Sequence, residues 1–398
     1  MTKKIVFINA VPYGSTGKIV CGIENVAKIN EYKTLTFYSW TKSLKKSNAD
    51  NVIIGSFISK ITHIILAKLT GFSGCFSILG TLKLVNRIKK FAPDVINLHL
   101  LHSWSINLPI LFKYLKKSNA KIIWTMHDCW AFTGQCPHYT ISKCDKWKNG
   151  CHDCIHYQEF NAVLVDRTKE MWRLKKKWFT GVPNLTIVTP SEWLKKQIDN
   201  SFLSEYPVKV INNGVDLDVF KPTESSFRKD NSCEDKFVIL GVAFDWGPRK
   251  GLDVFINLAH DLDKKYQIVL VGINEEIRKI LPDNIIAIQR TQNQQELAEI
   301  YSSADVFVNP TREENYPTVN MESIACGTPV ITYKTGGSPE IVGNRNGYVV
   351  PYDDYKALKN RLELMSMEKG FNRDKLVYNA HEFDMKIKYS EYFELMRM

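Results

Sequence analysis

Short, nearly unbroken apolar runs alternate with longer helical stretches along the whole chain, and this alternation constrains the fold more than any other feature. The first half carries such runs at Ile5–Asn9, Thr34–Trp40, Val52–Ile54, Val95–Leu100, Ile122–Met126, Leu185–Val188 and Val208–Ile211. The second half carries them at Phe237–Val242, Gln267–Val271, Ile285–Ile288, Val306–Asn309, Val330–Tyr333 and Tyr348–Val350. Strands read this way when both faces of the pleat are covered, as in parallel sheets. Two successive βαβ arrays predict an α/β protein with two doubly wound, Rossmann-like domains facing across a cleft. A length of 398 residues is too great for one ordinary core and suits two. The boundary is expected in the turn-rich stretch Asn212-Asn-Gly-Val-Asp-Leu-Asp-Val-Phe-Lys-Pro222, dividing the chain into 1–210 and 211–382. The polar residues 223–235 read as a mobile loop.

Charge is divided unequally. Residues 1–215 hold 30 Lys and Arg against 13 Asp and Glu, a net of +17, whereas residues 216–398 hold 23 against 29, a net of −6. A basic half joined to an acidic half predicts an anionic partner for the first alone. Nucleic acid is set aside, because the basic residues come with neither a nucleic-acid-binding motif nor a stacking platform. An anionic membrane surface or a lipid-diphosphate acceptor fits better. The stretch Ser56–Phe91 reads either as a helix lying in the membrane interface or as a core helix with a solvated basic face. Apolar runs fall short of the roughly 18 residues that span a bilayer. The opening Met1-Thr-Lys-Lys-Ile-Val-Phe-Ile-Asn9 reads as a first strand rather than a signal peptide. The expected location is therefore cytoplasmic, peripheral on the inner face of the plasma membrane.

The densest motif is Thr311-Arg-Glu-Glu-Asn-Tyr-Pro-Thr-Val-Asn-Met-Glu-Ser-Ile-Ala-Cys-Gly-Thr-Pro-Val330. The run Ala304–Pro310 before it reads as a buried strand entering a loop, and the residues after Pro317 read as a helix stopped by Gly327. Glu314 then sits ahead of a helix N-terminus and Glu322 about a turn or two inside that helix. Ligands of open α/β sheets bind at such a strand-to-helix crevice. A carboxylate there can hold sugar or ribose hydroxyls while helix amides take a phosphate. Gly336-Gly-Ser-Pro-Glu340 follows downstream.

These residues resemble the retaining, nucleotide-sugar-dependent glycosyltransferases of the family-four, group 1 type, which have the GT-B fold. They are especially similar to the bacterial branch that builds capsules, O-antigens and exopolysaccharides. The resemblance covers nearly the whole chain and is most specific from Asp305 to Glu340. It implies that Glu314 holds hydroxyls of the donor sugar, helped by the amides around Asn315, Tyr316 and Thr318, and that Glu322 holds the ribose. It also implies that the last segment, 383–398, is a helix packing back on the first domain, and that catalysis requires no metal.

Three further stretches gain meaning beside that resemblance. In Leu240-Gly-Val-Ala-Phe-Asp-Trp-Gly-Pro-Arg249-Lys250-Gly251, Lys250 can neutralise a diphosphate leaving group. Many relatives place an arginine five residues earlier; here that residue is Asp245, so Arg249 is the candidate for the second phosphate contact. Glycines Gly14 and Gly17, in Val11-Pro-Tyr-Gly14-Ser-Thr-Gly17-Lys18, let backbone approach a phosphate at a helix start, although the spacing is not that of a P-loop. His127, after a buried strand, matches the histidine that in similar enzymes faces the transferred sugar. His99 and His102 are candidates for placing the acceptor.

Five of the nine cysteines cluster at Cys129, Cys136, Cys144, Cys151 and Cys154. The Cys151-His-Asp-Cys154 gap suits tetrahedral zinc, and Cys136 and Cys144 complete a candidate structural four-sulfur site; packed free thiols are the alternative. The Asp216-Leu-Asp218 and Asp261-Leu-Asp263 matches to a metal-binding Asp-x-Asp pattern are attributed to chance. The expected activity is retaining transfer of a hexose-like sugar from a nucleotide diphosphate-sugar to a hydroxyl of a lipid-linked saccharide acceptor, in cell-surface polysaccharide synthesis. The rivals are transfer to a soluble acceptor, a GT-B phosphorylase or epimerase, and a nonenzymatic protein binding an anionic polymer.

Overall fold

A computed structural model describes residues 2–40, 50–160, 162–368 and 370–397. The chain forms two compact units, Met1–Ile211 with Tyr389–Met398, and Asn212–Lys388.

The first unit is built on β1 (Lys4–Asn9), β2 (Lys33–Tyr38), β3 (Asn51–Ile53), β4 (Val95–Leu98), β5 (Lys121–Thr125), β6 (Leu185–Thr189) and β7 (Val208–Val210). Its sheet is wholly parallel in the order β3-β2-β1-β4-β5-β6-β7. Val6 of β1 stands between Leu35 of β2 and Ile96 of β4, so the order reverses at the β1–β4 seam. Ile5 to Ile8 are fully buried, as strands covered on both faces require. Leu98, Leu111, Phe112, Trp124 and Phe179 pack in one core. Burying each such side chain contributes on the order of 2 kcal/mol.

The second unit is built on β8 (Phe237–Val242), β9 (Tyr266–Val271), β10 (Ile285–Ile288), β11 (Val306–Asn309), β12 (Val330–Tyr333) and β13 (Gly347–Val350). It is again parallel, in the order β10-β9-β8-β11-β12-β13, and reverses between β8 and β11. Leu240, Phe307 and Val330 enter the core on one face of the sheet, while Ile239, Val306 and Ile331 enter the core on the other. This period of two places a hydrophobic layer on each side. The loops leaving β8 and β11 therefore meet at a topological switch point, where open α/β sheets bind ligands.

The segment that opens the second unit is tied to the segment that closes it. Val215 N–H donates to Phe383 O at 2.8 Å, and Met385 N–H donates to Val215 O at 3.0 Å. The helix Met385–Arg397 ends within the first unit, where Phe393 packs edge-on to Tyr32 at 5.0 Å and Lys121 Nζ donates to Leu395 O at 2.6 Å.

One stretch differs from expectation, and a second departs from one of its two expected readings. Residues 223–235 are anchored rather than loose. A single helical turn, Phe227–Asp230, aims Arg228 at the start of β11, where it donates to Ser303 O at 2.8 Å and pairs with Asp305 at 2.6 Å. The stretch Ser56–Phe91 forms two helices, Phe57–Thr70 and Ile78–Phe91, and the first is inverted relative to a core helix. It buries Lys60, His63 and Ala67, while Phe57, Ile58, Ile61, Ile65 and Leu69 face outward. Lys60 is drawn in by the carbonyl of Ser39 and the ring of Trp40. His63 donates from Nδ1 to Ser77 Oγ at 2.8 Å and accepts from Gly74 N–H at Nε2, 3.2 Å away. With its polar side chains satisfied inside, the helix turns its apolar stripe to solvent, and Ile78, Leu79 and Leu82 of the next helix are exposed as well.

Candidate active site

The clearest constellation lies at the β8–β11 switch point. After β8 the chain makes a short 3-10 turn, Pro248–Lys250, and then the helix Leu252–Asp261. After β11 it loops through Thr311–Tyr316 into the helix Thr318–Ala325. Lys250 Nζ donates to Glu314 Oε2 at 2.6 Å, and each side chain is about 19% exposed. The Asn315 N–H donates to Glu314 Oε1 at 3.1 Å. Burial alone pushes the Glu314 carboxyl upward, but the Lys250 ammonium, the Asn315 amide and Arg249 outweigh it and hold the group below the usual carboxylate range. Glu314 is therefore an ionised carboxylate in a nearly enclosed site, one ammonium away from neutrality.

The loops that carry this pair are locked to each other. Arg312 N–H donates to Arg249 O at 2.9 Å, and its guanidinium donates to Pro248 O at 2.7 Å. The same guanidinium grips both oxygens of Asp253 at 2.8 and 2.7 Å and Asp353 at 2.7 Å. Thr311 Oγ1 donates within the same junction, with Arg249 O at 3.3 Å and Glu313 O at 3.2 Å. Gly336 closes the far side with a φ of +53°; a Cβ there would fall 1.9 Å from Glu314 O, a space no other residue can use. Gly337 N–H then donates to Asn315 O at 2.7 Å.

Arg249 is half-buried and donates from Nη1 to Glu313 O at 3.4 Å, whereas Asp245 is exposed. Asn315 and Tyr316 are buried, and Asn213 Nδ2 donates to Tyr316 O at 3.2 Å. Thr318 opens its helix without a side-chain cap, and the Asn320 N–H of the first turn donates to Pro317 O at 3.2 Å. Glu322, in the second turn, accepts from the buried Tyr301 hydroxyl at 3.2 Å. Below it, Asn309 Nδ2 donates to Asn320 Oδ1 at 2.8 Å, while the buried Nδ2 of Asn320 has no hydrogen-bond partner.

The first unit carries its own polar cluster at the carboxyl ends of β1, β4 and β5. The helix Gly14–Ile29 starts uncapped at Tyr13, with Gly14 opening onto free space. Gly17 is a close approach: a Cβ there would lie 2.5 Å from the Pro12 carbonyl carbon. His127, half-buried after β5, shares a 3.0 Å hydrogen bond with His99, whose ring stacks on it at 5.3 Å. Burial drives the His127 imidazole down to about 4, with Asp128 opposing and His102 reinforcing the shift. His102 lies 3.4 Å from Asp128 and against the Trp130 ring. His99 is 1% exposed. Lys175 is wholly buried beneath this loop, donating to Trp130 O at 2.7 Å and Thr133 O at 3.2 Å, and burial lowers it to about 7.

The expected zinc set is corrected. Among the described residues no group of three or more His, Cys, Asp or Glu side chains is placed to hold a metal ion. Cys151 is buried and accepts from Gly134 N–H at 3.1 Å, Cys136 and Cys154 hydrogen-bond to each other, and Cys144 packs against the apolar core. The loop is stapled by aromatic packing instead. Trp147 is 1% exposed between Phe132 and Tyr139, at 5.1 Å from each, and Trp172 Nε1 donates to its carbonyl at 2.8 Å.

Sequence reading missed Arg312. Nothing in the spacing around it marks it, because its partners lie in other loops.

The sequence profile of the Glycosyl transferases group 1 matches residues 223–383, and that of Glycosyltransferase Family 4 matches residues 60–219. The protein named as a colanic acid biosynthesis glycosyl transferase, WcaC, of Escherichia coli K12 is 24% identical over 279 residues. That match covers 66% of this chain and 65% of WcaC, just under two thirds of the relative's length. Among solved structures, sucrose-phosphate synthase of Thermosynechococcus elongatus superposes with a TM-score of 0.71 at 17% identity, covering 99% of this chain and 98% of the other. Anabaena HepE, solved in complex with UDP and glucose, superposes with a TM-score of 0.66 at 16% identity, covering 99% of both chains. At these identities the likeness speaks for the fold, which is GT-B. Profiles covering both units, together with two parallel sheets of seven and six strands, place the chain among the family-four, group 1 glycosyltransferases.

Proposed function

We propose that the protein transfers a glycosyl group from a nucleotide diphosphate-sugar to a hydroxyl of a saccharide acceptor, with retention at the anomeric carbon and without a catalytic metal. The Lys250–Glu314 ion pair at the switch point carries this reading. Each member is the ligand-free partner of the other, and a donor exchanges both. Lys250, with Arg249 and the N–H groups at Thr318, takes the diphosphate, while Glu314 and the amides of Asn315 and Tyr316 take sugar hydroxyls. Glu322 takes the ribose, and Gly14, Gly17 and His127 are the first unit's own candidates for substrate contact.

In this reading Glu314 binds the sugar and is not a nucleophile. The acceptor oxygen bonds to the anomeric carbon as the bond to the diphosphate oxygen breaks, through an oxocarbenium-like state. The acceptor proton passes to a phosphate oxygen of the departing nucleotide. Lys250 stabilises charge that grows in the transition state, the kind of interaction that raises kcat rather than ground-state binding alone.

A lipid-linked acceptor in envelope polysaccharide synthesis fits both the WcaC relative and the surface of the first unit. Between Asp50 and Asp94 there is no acidic residue, and Lys68, Lys83, Arg87, Lys89 and Lys90 are exposed around the outward apolar stripe of Phe57–Thr70. A uniformly basic rim repels a second copy of itself and suits an anionic bilayer, with the apolar stripe entering the interface. In this reading the protein works on the inner face of the plasma membrane.

The test is saturation-transfer NMR of wild type and Glu314→Ala against uridine and guanosine diphosphates and their sugars. Binding of one nucleotide class, with the sugar signal lost in the variant, supports the transferase. Failure of well-folded wild type to bind any of them defeats it. Turnover that needs inorganic phosphate, or that proceeds without an acceptor, would instead mark a phosphorylase or an epimerase.

A further inference from the structure

We propose that the cleft between the end of β3 and the helix Ile78–Phe91 binds the phosphate group of an anionic phospholipid, whose glycerol and acyl carbons lie along Leu79. This site rests on the reading above that the surrounding face meets an anionic membrane, and it adds which group of the membrane that face selects.

Two glycines shape the cleft. Gly55, at a φ of +66°, turns the chain from β3 into the helix Phe57–Thr70, and Gly80 lies in the first turn of the helix Ile78–Phe91. A Cβ on Gly80 would fall 3.1 Å from Gly55 Cα, so the second helix comes up against the turn at its backbone. The cleft holds about 460 Å³. Its floor is made by the ends of core side chains, Phe37, Val52 and Leu84, all buried.

The rim has the opposite character. Lys83 and Arg87 line it and are exposed, and with Leu79 they recur every four residues along one side of the helix. Half-buried Ser59 adds a hydroxyl from the other wall. The lining contains no Asp or Glu among the described residues, and the sequence has none between Asp50 and Asp94. Two positive charges therefore act on the cleft without an opposing carboxylate. Beside an apolar floor their attraction for an anion exceeds its value in open water, and a guanidinium matches the paired oxygens of a phosphate.

The carbon part of the ligand follows from what adjoins the rim. Leu79 lines the cleft and is 75% exposed, next to the exposed Ile78 and Leu82, while exposed Phe57 and Ile58 begin the helix of the other wall. A free inorganic anion would satisfy Lys83 and Arg87 and leave these side chains in water. A neutral apolar ligand would cover the side chains and leave the cations unused. A phosphodiester carrying acyl chains satisfies both, since its carbons pass from the cleft onto a surface that is already apolar.

The experiment is sedimentation of the full-length protein with vesicles of phosphatidylcholine alone and of equal parts phosphatidylcholine and phosphatidylglycerol. Wild type, Lys83→Ala/Arg87→Ala and Lys89→Ala/Lys90→Ala are compared. Both variants lose two cations from one helix, so a diffuse surface potential would weaken them equally. The cleft instead predicts that Lys83→Ala/Arg87→Ala loses about tenfold more affinity for the phosphatidylglycerol vesicles than its partner variant does. Equal losses overturn the site and leave the membrane reading intact, whereas a wild type that does not prefer phosphatidylglycerol ends both. Methyl NMR of leucine-labelled protein separates lipid from free phosphate. Dihexanoyl phosphatidylglycerol, kept below its micelle concentration, should shift the Leu79 and Leu84 methyl signals, and inorganic phosphate at the same concentration should not. An equal response to inorganic phosphate would make the cleft a plain anion site and overturn the lipid assignment.

Discussion

The Lys250 ammonium and the Glu314 carboxylate meet at 2.6 Å across the two loops that leave β8 and β11. Neither loop reaches the other by local sequence, and the pair exists because the parallel sheet places β8 beside β11. Replacing either partner should separate stability from catalysis. Lys250→Ala strands an ionised, mostly buried carboxylate and removes the diphosphate contact. It should lower kcat by about 10²–10³-fold and raise the Glu314 carboxyl toward or above its usual range. Glu314→Gln keeps the shape and should lower sugar-dependent turnover while nucleotide diphosphate binding persists. Steady-state kinetics beside isothermal titration with the nucleotide alone decide this, and equal loss of both in Glu314→Gln would argue for collapse of the loop.

Arg312 is the clamp behind that pair. Lysine cannot reproduce its two-pronged grip on Asp253 together with the bond to Asp353. Arg312→Lys is expected to destabilise the second unit by about 2 kcal/mol, or roughly 4–8 °C in Tm. Asp253 is held below its usual value first by its hydrogen bond to Arg312. Such a depressed carboxyl contributes stability above its unfolded pKa of roughly 4 and loses it as pH falls through the folded value. The difference in Tm between wild type and Arg312→Lys should therefore shrink below about pH 4. A difference that stays constant from pH 7 to pH 3 would remove the ion pair as its cause.

The outward stripe of Phe57–Thr70 predicts lipid binding. Ile61→Glu/Ile65→Glu should lower partition onto phosphatidylglycerol-containing vesicles by tenfold or more, since each change removes apolar area and adds a repelled charge. Wild type should bind phosphatidylcholine vesicles weakly and lose affinity as salt rises. Sedimentation with vesicles measures both. Equal binding of the variant, or a dimer of wild type that the variant abolishes, would point to a different occupant of this face.

The cysteine loop should be indifferent to chelators and selective toward alkylation. Hydrogen bonding from Cys136 lowers the Cys154 thiol, which is half-buried, while Cys136 and Cys151 are raised. Thiolate is the nucleophile. Brief iodoacetamide treatment at pH 7 should mark Cys154 ahead of the other cysteines, and Cys136→Ala should slow that reaction. A fall in Tm on treatment with EDTA or phenanthroline would reinstate a metal at this loop.

The alternation of apolar runs and helical stretches made both parallel sheets legible, because burial on two faces leaves a local signature in every strand. The motif from Thr311 to Val330 likewise displayed its strand, loop and helix in order, and Lys250 stood out as a cation beside a helix start. Those are properties of neighbours along the chain. What the tertiary structure decided depends on residues far apart in sequence. Which face of Phe57–Thr70 turns outward is set by the Ser39 carbonyl and Trp40 drawing in Lys60, a preference invisible to periodicity. Whether four cysteines gather round a metal is set by the packing of Trp147 and Trp172, which a spacing rule does not contain. The hydrogen bonds that join Asn97 to the Ile123 carbonyl and to His99 link β4 to β5 across positions 26 residues apart in the chain. Hydrogen-bond direction is settled by the partner, and the partner is chosen by the register of the sheet.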